Sequence, residues 1–354
     1  MTQQRASAPD DNPAERGYAE LDPQGVLQAL DAVGLRGDGR LLQLNSYENR
    51  VFQVHLEDGA VVVAKFYRPR RWSDAQILEE HAFALELAAE DVPVVPPRTL
   101  DSTDAGVRMF GTPATLAHVA INGSGHRVAV ADRHAGRGPE LEDPAVLEWL
   151  GRFLARVHAV GGRRPFVHRR TLSPAWITAA RDRLLQGEHI GDAERGRWLD
   201  RCNTALGLVE QAFGRAAGAP TLRLHGDFHP GNVMWRDAGP HVVDLDDACN
   251  GPAVQDLWML LSGDAASMRS QLASLLEGYR SFMPFDERQL ALVEPLRTLR
   301  MICHSAWIAE RWRDPAFPIA FPWFGSAGYW AQQTVQLDEQ IDAMREPPDL
   351  AGFN

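Results

Sequence analysis

Cysteine is scarce. The 354 residues hold only Cys202, Cys249 and Cys303, odd in number and too far apart for a disulfide framework or a CxxC zinc site, and a reducing cytoplasm is the compartment that fits. Long apolar runs are missing as well, so no membrane span is expected. The first residues, Met1 to Arg16, are polar and lack the apolar core of a signal peptide. Positive charge is in deficit, with 36 Lys and Arg against 47 Asp and Glu and a net charge of -11. Nucleic acid and an anionic membrane would be repelled at long range, so neither is an expected partner. An anionic nucleotide would need a cation or a local basic residue beside its phosphates. A hydrophobic content of 45% is ordinary for a globular protein of this length and enough for two cored lobes.

The pattern along the chain divides accordingly. Residues 1–22 read as a mobile leader. Asp22-Pro23 has the form of an N-cap followed by proline, opening a helix through Val26, Leu27 and Leu30. Strand-like runs follow at Leu41 to Leu44, Val51 to Leu56 and Val61 to Phe66, the last two joined through Asp58-Gly59, a type I′ hairpin signal. Ser73 to Ala89 is helical in pattern, and short strands are expected at Arg108 to Thr112 and Val128 to Ala131. The Gly- and charge-rich stretch Asp132 to Asp143 reads as a hinge closing a first lobe over 23–138. From there to residue 354 the patterns are mainly helical: Val146 to His158, Trp176 to Leu185, Arg195 to Phe213, Val254 to Leu261, Met268 to Phe282, Glu287 to Arg313 and Tyr329 to Met344.

Leu222 to Asp246 interrupts that series with short apolar runs and turns. It contains His225-Gly226-Asp227-Phe228-His229-Pro230-Gly231-Asn232 and then Val242-Val243-Asp244-Leu245-Asp246-Asp247. Phosphoryl transfer asks a protein for positioning more than for covalent chemistry. It needs one carboxylate to orient the acceptor and oxygen ligands to hold magnesium on the phosphates. Asp227 and Asn232 stand in the D-x-x-x-x-N relation of a kinase catalytic loop, and Asp244 ends an apolar run where a metal-binding aspartate would fall. Any one of these aspartates could be a simple cap or turn residue; the combination is what carries the reading. His225 and His229 have no third ligand spaced to make a zinc site, and hydrogen bonds that organise the loop are their expected work.

These segments resemble the aminoglycoside phosphotransferase and choline kinase superfamily. Asn45-Ser46-Tyr47-Glu48-Asn49-Arg50-Val51 and the run from Val243 to Trp258 are similar, more narrowly, to the bacterial stress response kinase A group of serine/threonine protein kinases. The resemblance implies a bilobal, protein-kinase-like α+β fold with a β-rich N-terminal lobe, a mainly helical C-terminal lobe and ATP in the cleft. It implies ATP as co-substrate, Mg²⁺ as cofactor and a hydroxyl-bearing protein as acceptor, with a small molecule such as an amino alcohol, sugar or aminoglycoside as the alternative. A nucleotide sensor without turnover is the rival from outside enzymology.

By the same resemblance Asp227 is the catalytic base, Asn232 and Asp244 are metal ligands, and Asp256 braces the loop. Strand alternation would turn Asp246 to the side of Asp244, as a possible second ligand, and Asp247 away. Lys65, at the end of Val-Ala-Lys, matches the lysine that contacts the α- and β-phosphates. Its expected helical partner is Glu80, with Glu79 as the neighbouring alternative. No G-x-G-x-x-G joins the first two strands; the turn is Ser46-Tyr47-Glu48-Asn49, whose amides and Ser46 hydroxyl could serve phosphate instead. Arg68, Arg70 and Arg71 read as a solvated turn. Asp244 to Asp256 leaves no room for a long activation segment. The aromatic stretch Pro315 to Trp330 is expected to pack over the second lobe, or else to wall the acceptor site.

Overall fold

The computed structural model describes residues 21–236 and 239–350. The expected leader, apart from Leu21 and Asp22, lies outside them. The chain forms two compact units. The first takes residues up to Ser73, Arg98–Arg133 and Arg311–Pro322; the second takes Asp74–Pro97, His134–Glu310 and the chain from Trp323.

The first unit opens with α1 (Pro23–Ala32), where the Asp22 carboxylate caps Gly25 N–H and proline occupies the first turn. Strands β1 (Gly37–Leu44), β2 (Arg50–Leu56), β3 (Val61–Phe66), β4 (Arg108–Phe110), β5 (Leu116–Ile121) and β6 (Ser124–Asp132) make one antiparallel sheet in the order β1-β2-β3-β6-β5-β4. The β2–β3 loop is not type I′. A turn closes from Gly59 N–H onto Leu56 O, Gly59 alone is left-handed at φ 86, and Leu56 N–H bonds to Ala60 O. This is the three-residue connection in which one glycine takes the positive φ. Along β3 the two-residue period sends Val62, Ala64 and Phe66 into a core shared with Val26, Leu30, Phe52 and Val128. Lys65 therefore stands on the opposite face of the sheet.

The segment 311–322 also belongs to this unit, and contains α8 (Ala316–Ala320). The expected aromatic stretch Pro315 to Trp330 divides: Phe324 and Trp330 pack on His189 and Trp198 of the second unit, as expected, while the rings before Trp323 belong to the first unit. Phe317 and Phe321 pack on Tyr47 with centroids 6.3 and 5.2 Å away. Arg68 is no solvated turn residue. It lies 3.1 Å from Glu48 and 2.8 Å from Asp314, and Glu48 also receives Arg311 at 2.7 Å and Arg71 at 3.5 Å. Arg70 is exposed and left-handed at φ 63.

The second unit comprises α2 (Asp74–Ala89), α3 (Pro144–Gly161), α4 (Ala175–Gln186), α5 (Asp192–Arg215), α6 (Ala265–Arg280), α7 (Val293–Glu310) and α9 (Ala327–Arg345), with the short strands β7 (Leu222–Leu224), β8 (Val233–Met234), β9 (His241–Val242) and β10 (Cys249–Gly251). Helix α2 and Val92-Pro93-Val94 group here, not with the first lobe, because Val94 bridges Val242 on β9. The expected hinge is pinned in part, since Arg137 and Trp235 exchange backbone hydrogen bonds of 3.0 and 2.7 Å. Val254 to Leu261 is two 3₁₀ turns, 253–256 and 258–260, in place of a helix. Helix α3 crosses α6 at glycines: a Cβ on Gly278 would sit 1.9 Å from Glu148 O, and one on Gly151 2.0 Å from Leu275 O. That crossing sets His158 of α3 beside Tyr279 of α6.

Candidate active site

The loop after β7 hangs from one buried carboxylate. Asp256 accepts the backbone N–H groups of His225 and Gly226, both at 2.8 Å, and faces His158 Nε2 at 3.1 Å. His158 Nδ1 in turn meets the Tyr279 hydroxyl at 2.9 Å. Asp256 and His158 have no solvent exposure, and a buried carboxylate is tolerable only when it is satisfied in this way. Burial, with the Asp256 charge behind it, pushes the Tyr279 hydroxyl pKa up. Gly226 is obligatory twice over, because its φ is +86 and a Cβ there would lie 2.2 Å from Asp247 O.

With its start fixed, the loop orders itself. His225 Nε2 lies 3.0 Å from Val243 O, an acceptor only, so that nitrogen carries the hydrogen. His229 Nδ1 caps Gly231 N–H at 3.0 Å, opening the 3₁₀ turn Pro230–Asn232. Asn232 Nδ2 donates to Asp227 O at 3.0 Å, and Val243 N–H bonds back to Asn232 O at 3.0 Å. The histidines thus organise the loop. The donor bond also fixes the Asn232 amide, so that its oxygen is the atom left to act as a ligand.

Asp244 departs from the strand expectation. It adopts φ 64, ψ 64, the left-handed region that non-glycine residues enter at a cost of about 1–3 kcal/mol and that clusters at functional positions. A 3₁₀ turn, Leu245–Asp247, follows at once, so alternation does not apply, and Asp246 goes into the interior at 3% exposure. The Asp246 carbonyl accepts from buried Arg169 at 2.7 Å, and Arg169 also reaches Glu80, 3.6 Å away. The Asp246 backbone is thereby part of the support of the loop. Glu79 is committed elsewhere, accepting the N–H groups of Val167, His168 and Arg169 at 2.5–2.8 Å. Glu80 is the glutamate that is buried.

Asp227 is paired through Oδ1 with Arg300 of α7, and its Oδ2 lies 3.6 Å from His229 Nε2. Burial lowers the His229 pKa; Arg300 and His225 lower it further, while Asp227 and Asp244 oppose them. These five groups therefore share one electrostatic neighbourhood. On the first unit, Lys65 Nζ lies 5.1 Å from the Tyr67 ring centroid. The Ser46 hydroxyl accepts from Asn49 N–H at 3.4 Å, and Asn49 Oδ1 accepts Arg68 N–H at 3.0 Å. Among the described residues no three His, Cys, Asp or Glu side chains converge as a metal cluster. The oxygens of Asn232 and Asp244 are hard donors of the kind magnesium takes together with phosphate oxygens, and unsuited to zinc.

Arg300, His158 and Arg169 escaped the sequence reading. Arg300 lies 73 residues from its partner in an ordinary helical pattern, and no local signal marks it.

The phosphotransferase enzyme family matches residues 40–293. The stress response kinase A of Salmonella choleraesuis is 42% identical over 332 residues, covering 94% of this chain and 96% of that protein. The serine/threonine protein kinase RdoA of Salmonella typhimurium is 41% identical with the same coverage. Among solved structures, an amicoumacin kinase in complex with AMP-PNP, Ca²⁺ and Ami shares the fold, with a TM-score of 0.69 at 18% identity over 95% of this chain and 98% of that one. The chain belongs to the phosphotransferase enzyme family and, within it, to the stress response kinase A group of ATP-dependent kinases.

Proposed function

We propose that this kinase transfers the γ-phosphoryl group of ATP, with magnesium, to a serine or threonine hydroxyl of a protein in a bacterial stress response. The observation that carries the reading is the catalytic loop held by Asp256, with Asp227, Asn232 and left-handed Asp244 in one neighbourhood. The names of the relatives support the acceptor class.

In this reading Lys65, with Glu80 as its partner, contacts the α- and β-phosphates, and the Ser46 turn adds donors to phosphate. Magnesium bound by the Asn232 amide oxygen and the Asp244 carboxylate supplies charge neutralisation on the phosphates. Asp227 orients the acceptor hydroxyl and takes its proton late in the transfer. The acceptor oxygen–phosphorus bond forms as the bond to the leaving ADP breaks.

The amicoumacin kinase shows that the fold also serves a small-molecule acceptor, so acceptor class is the point to test. Labelled ATP is offered with a generic protein substrate, free serine and threonine, and a set of amino alcohols, using wild type and Asp227→Asn. Label transfer to protein, lowered about 10² to 10⁴ in the variant with nucleotide affinity retained, is the expected result. Transfer confined to amino alcohols would overturn the protein-acceptor assignment, and an unaltered rate in Asp227→Asn would remove the base.

A further inference from the structure

Asp227 does not meet solvent alone. Its partner Arg300 has 45% of its side chain exposed against 23% for Asp227, so the guanidinium forms the open side of the pair. This differs from the interior pair of Arg169 and Glu80, at 0% and 9%. An Arg fork has five N–H donors in fixed geometry. The bond to Asp227 uses one edge of that fork, and the exposed remainder is suited to a second, planar, bidentate anion.

His304 follows Arg300 by one helical turn of α7 and feels the charges of both Arg300 and Asp227. Between them in sequence, Cys303 lies in the field of Arg170 and has its Sγ 3.8 Å from Trp176 O. Arg170 is exposed and sits 4.2 Å over the Trp176 ring. The carboxylate acting on the same cysteine, Glu310, is itself paired with Arg183. A hydroxyl delivered to Asp227 thus arrives beside a fixed cation, Arg300.

We infer that Arg300 selects the acceptor: the hydroxyl received by Asp227 belongs to a molecule that carries a carboxylate next to that hydroxyl, and acceptors with an ammonium group there are disfavoured. The inference rests on Asp227 being the acceptor-orienting carboxylate proposed above. An ammonium at that position meets the like charge on the exposed side of Arg300, whereas a carboxylate gains two charge-assisted hydrogen bonds. The carboxylate has two sources, an Asp or Glu flanking a serine or threonine in a protein segment, or a small hydroxy acid. The transfer is otherwise unchanged: the hydroxyl proton goes to Asp227, the hydroxyl oxygen bonds to the γ-phosphorus, and ADP leaves.

The test uses the full-length protein with Mg-ATP and three serine peptides that differ only in having Asp, Ala or Lys beside the serine. Glycerate and 1-amino-2-propanol are the small-molecule arms. The expected result is a kcat/KM for the Asp peptide about tenfold or more above that for the Lys peptide, carried mainly by KM. Arg300→Ala should flatten the order, Arg300→Lys should restore part of it, and Arg300→Glu should reverse it. Glycerate preferred to the Asp peptide would assign the carboxylate to a small hydroxy acid.

A merely structural arginine would lower all acceptors alike and leave their ratio intact, which would overturn the inference, as would a wild-type preference for the Lys peptide or the amino alcohol. ADP release is followed in the same reactions. Its absence throughout, wild type included, overturns the phosphotransferase reading and this inference together. ADP release and transfer with the wrong charge preference overturn this inference alone.

Discussion

Asp256→Asn is a nearly isosteric change whose cost can be worked from the hydrogen bonds. Two carboxylate oxygens serve three donors, His225 N–H and Gly226 N–H at 2.8 Å and His158 Nε2 at 3.1 Å. Asparagine keeps one oxygen and turns the other into an NH₂ group. If the oxygen stays on Gly226, the NH₂ faces the His225 N–H, donor against donor. His158 has an escape, because it can move its hydrogen to Nδ1, where the Tyr279 hydroxyl lies 2.9 Å away, and accept from the new amide at Nε2. The backbone amide of His225 has none.

One orphaned buried donor costs about 1–3 kcal/mol, and loss of charge assistance in the surviving bond adds about 1 kcal/mol, giving about 2–4 kcal/mol in all. Asp256→Ala orphans all three donors and should cost roughly twice as much. Urea unfolding of wild type and both variants measures this as a midpoint shift of about 1–3 M at an unchanged slope. Transfer activity below the transition should fall in the same order. An Asn variant within about 0.5 kcal/mol of wild type, or an Asn variant as unstable as the Ala variant, would refute the brace.

Gly278→Ala should destabilise the second unit by more than the usual overpacking cost of about 1–3 kcal/mol, because the new Cβ would meet the backbone oxygen of Glu148 at 1.9 Å; thermal unfolding checks it, and a melting temperature within a degree or so of wild type would contradict the crossing. Asp244→Asn should raise the magnesium needed for half-maximal activity, since a neutral oxygen replaces a charged one; an unchanged magnesium titration with normal turnover would take Asp244 out of the metal site. Asp314 supplies a pH prediction. Burial opposes its ionised form, but the Arg68 hydrogen bond, the Ala316 amide and Arg50 outweigh burial and lower its pKa. A carboxylate with a depressed folded pKa contributes stability that is full above its unfolded value of about 3.9 and is lost as pH falls through the folded one. Asp314→Asn should therefore lower stability at pH 7 and reduce the acid-side slope of stability against pH, and a slope equal to that of wild type in acid denaturation would count against the pair.

The candidate catalytic loop was legible as a compact loop because its residue types stand at short fixed spacings, and β3 because Val62, Ala64 and Phe66 alternate with the residues that face away. Strand β5 was missed: its core face is Ala117, Val119 and Ile121, where alanine weakens the signal, and Leu116 and Ala120 add apolar residues to the other face. Val254 to Leu261 looked helical because its apolar residues are as dense as those of a helix. Tertiary demands prevailed there, with Val254 N–H bonded to Gln289 Oε1, Gln255 Nε2 to Gly226 O and Asp256 turned to the loop. The strand alternation expected from Asp244 to Asp247 does not hold, since one left-handed residue, Asp244, opens a 3₁₀ turn there. Arg300, Arg169 and His158 act across 73, 77 and 98 residues, distances over which sequence pattern carries no pairing information. Only the first part of the aromatic stretch, with Phe317 and Phe321, was assigned to the wrong unit, for the same reason: its partners Tyr47, Glu48 and Arg68 lie far back in the chain, whereas Phe324 and Trp330 pack in the second unit as expected.

That segment makes the first unit indivisible from the chain's far end. Glu48 and Asp314, with Arg50, Arg68, Arg71 and Arg311, form a set in which four guanidinium groups share two carboxylates, every side chain at 11–16% exposure. A fragment ending before Pro144 would lose Asp314 and Arg311 from this set and would uncover Tyr47 by removing Phe317 and Phe321. Removing a shared counterion from partly buried cations is costly, so such a fragment should aggregate or stay unfolded when expressed alone. Adding residues 311–322 back through a flexible linker should restore it. The same arrangement has a consequence for synthesis on the ribosome: the amino-terminal unit has its complement of charge only after more than three hundred residues have been made, so it is completed late although most of it emerges first.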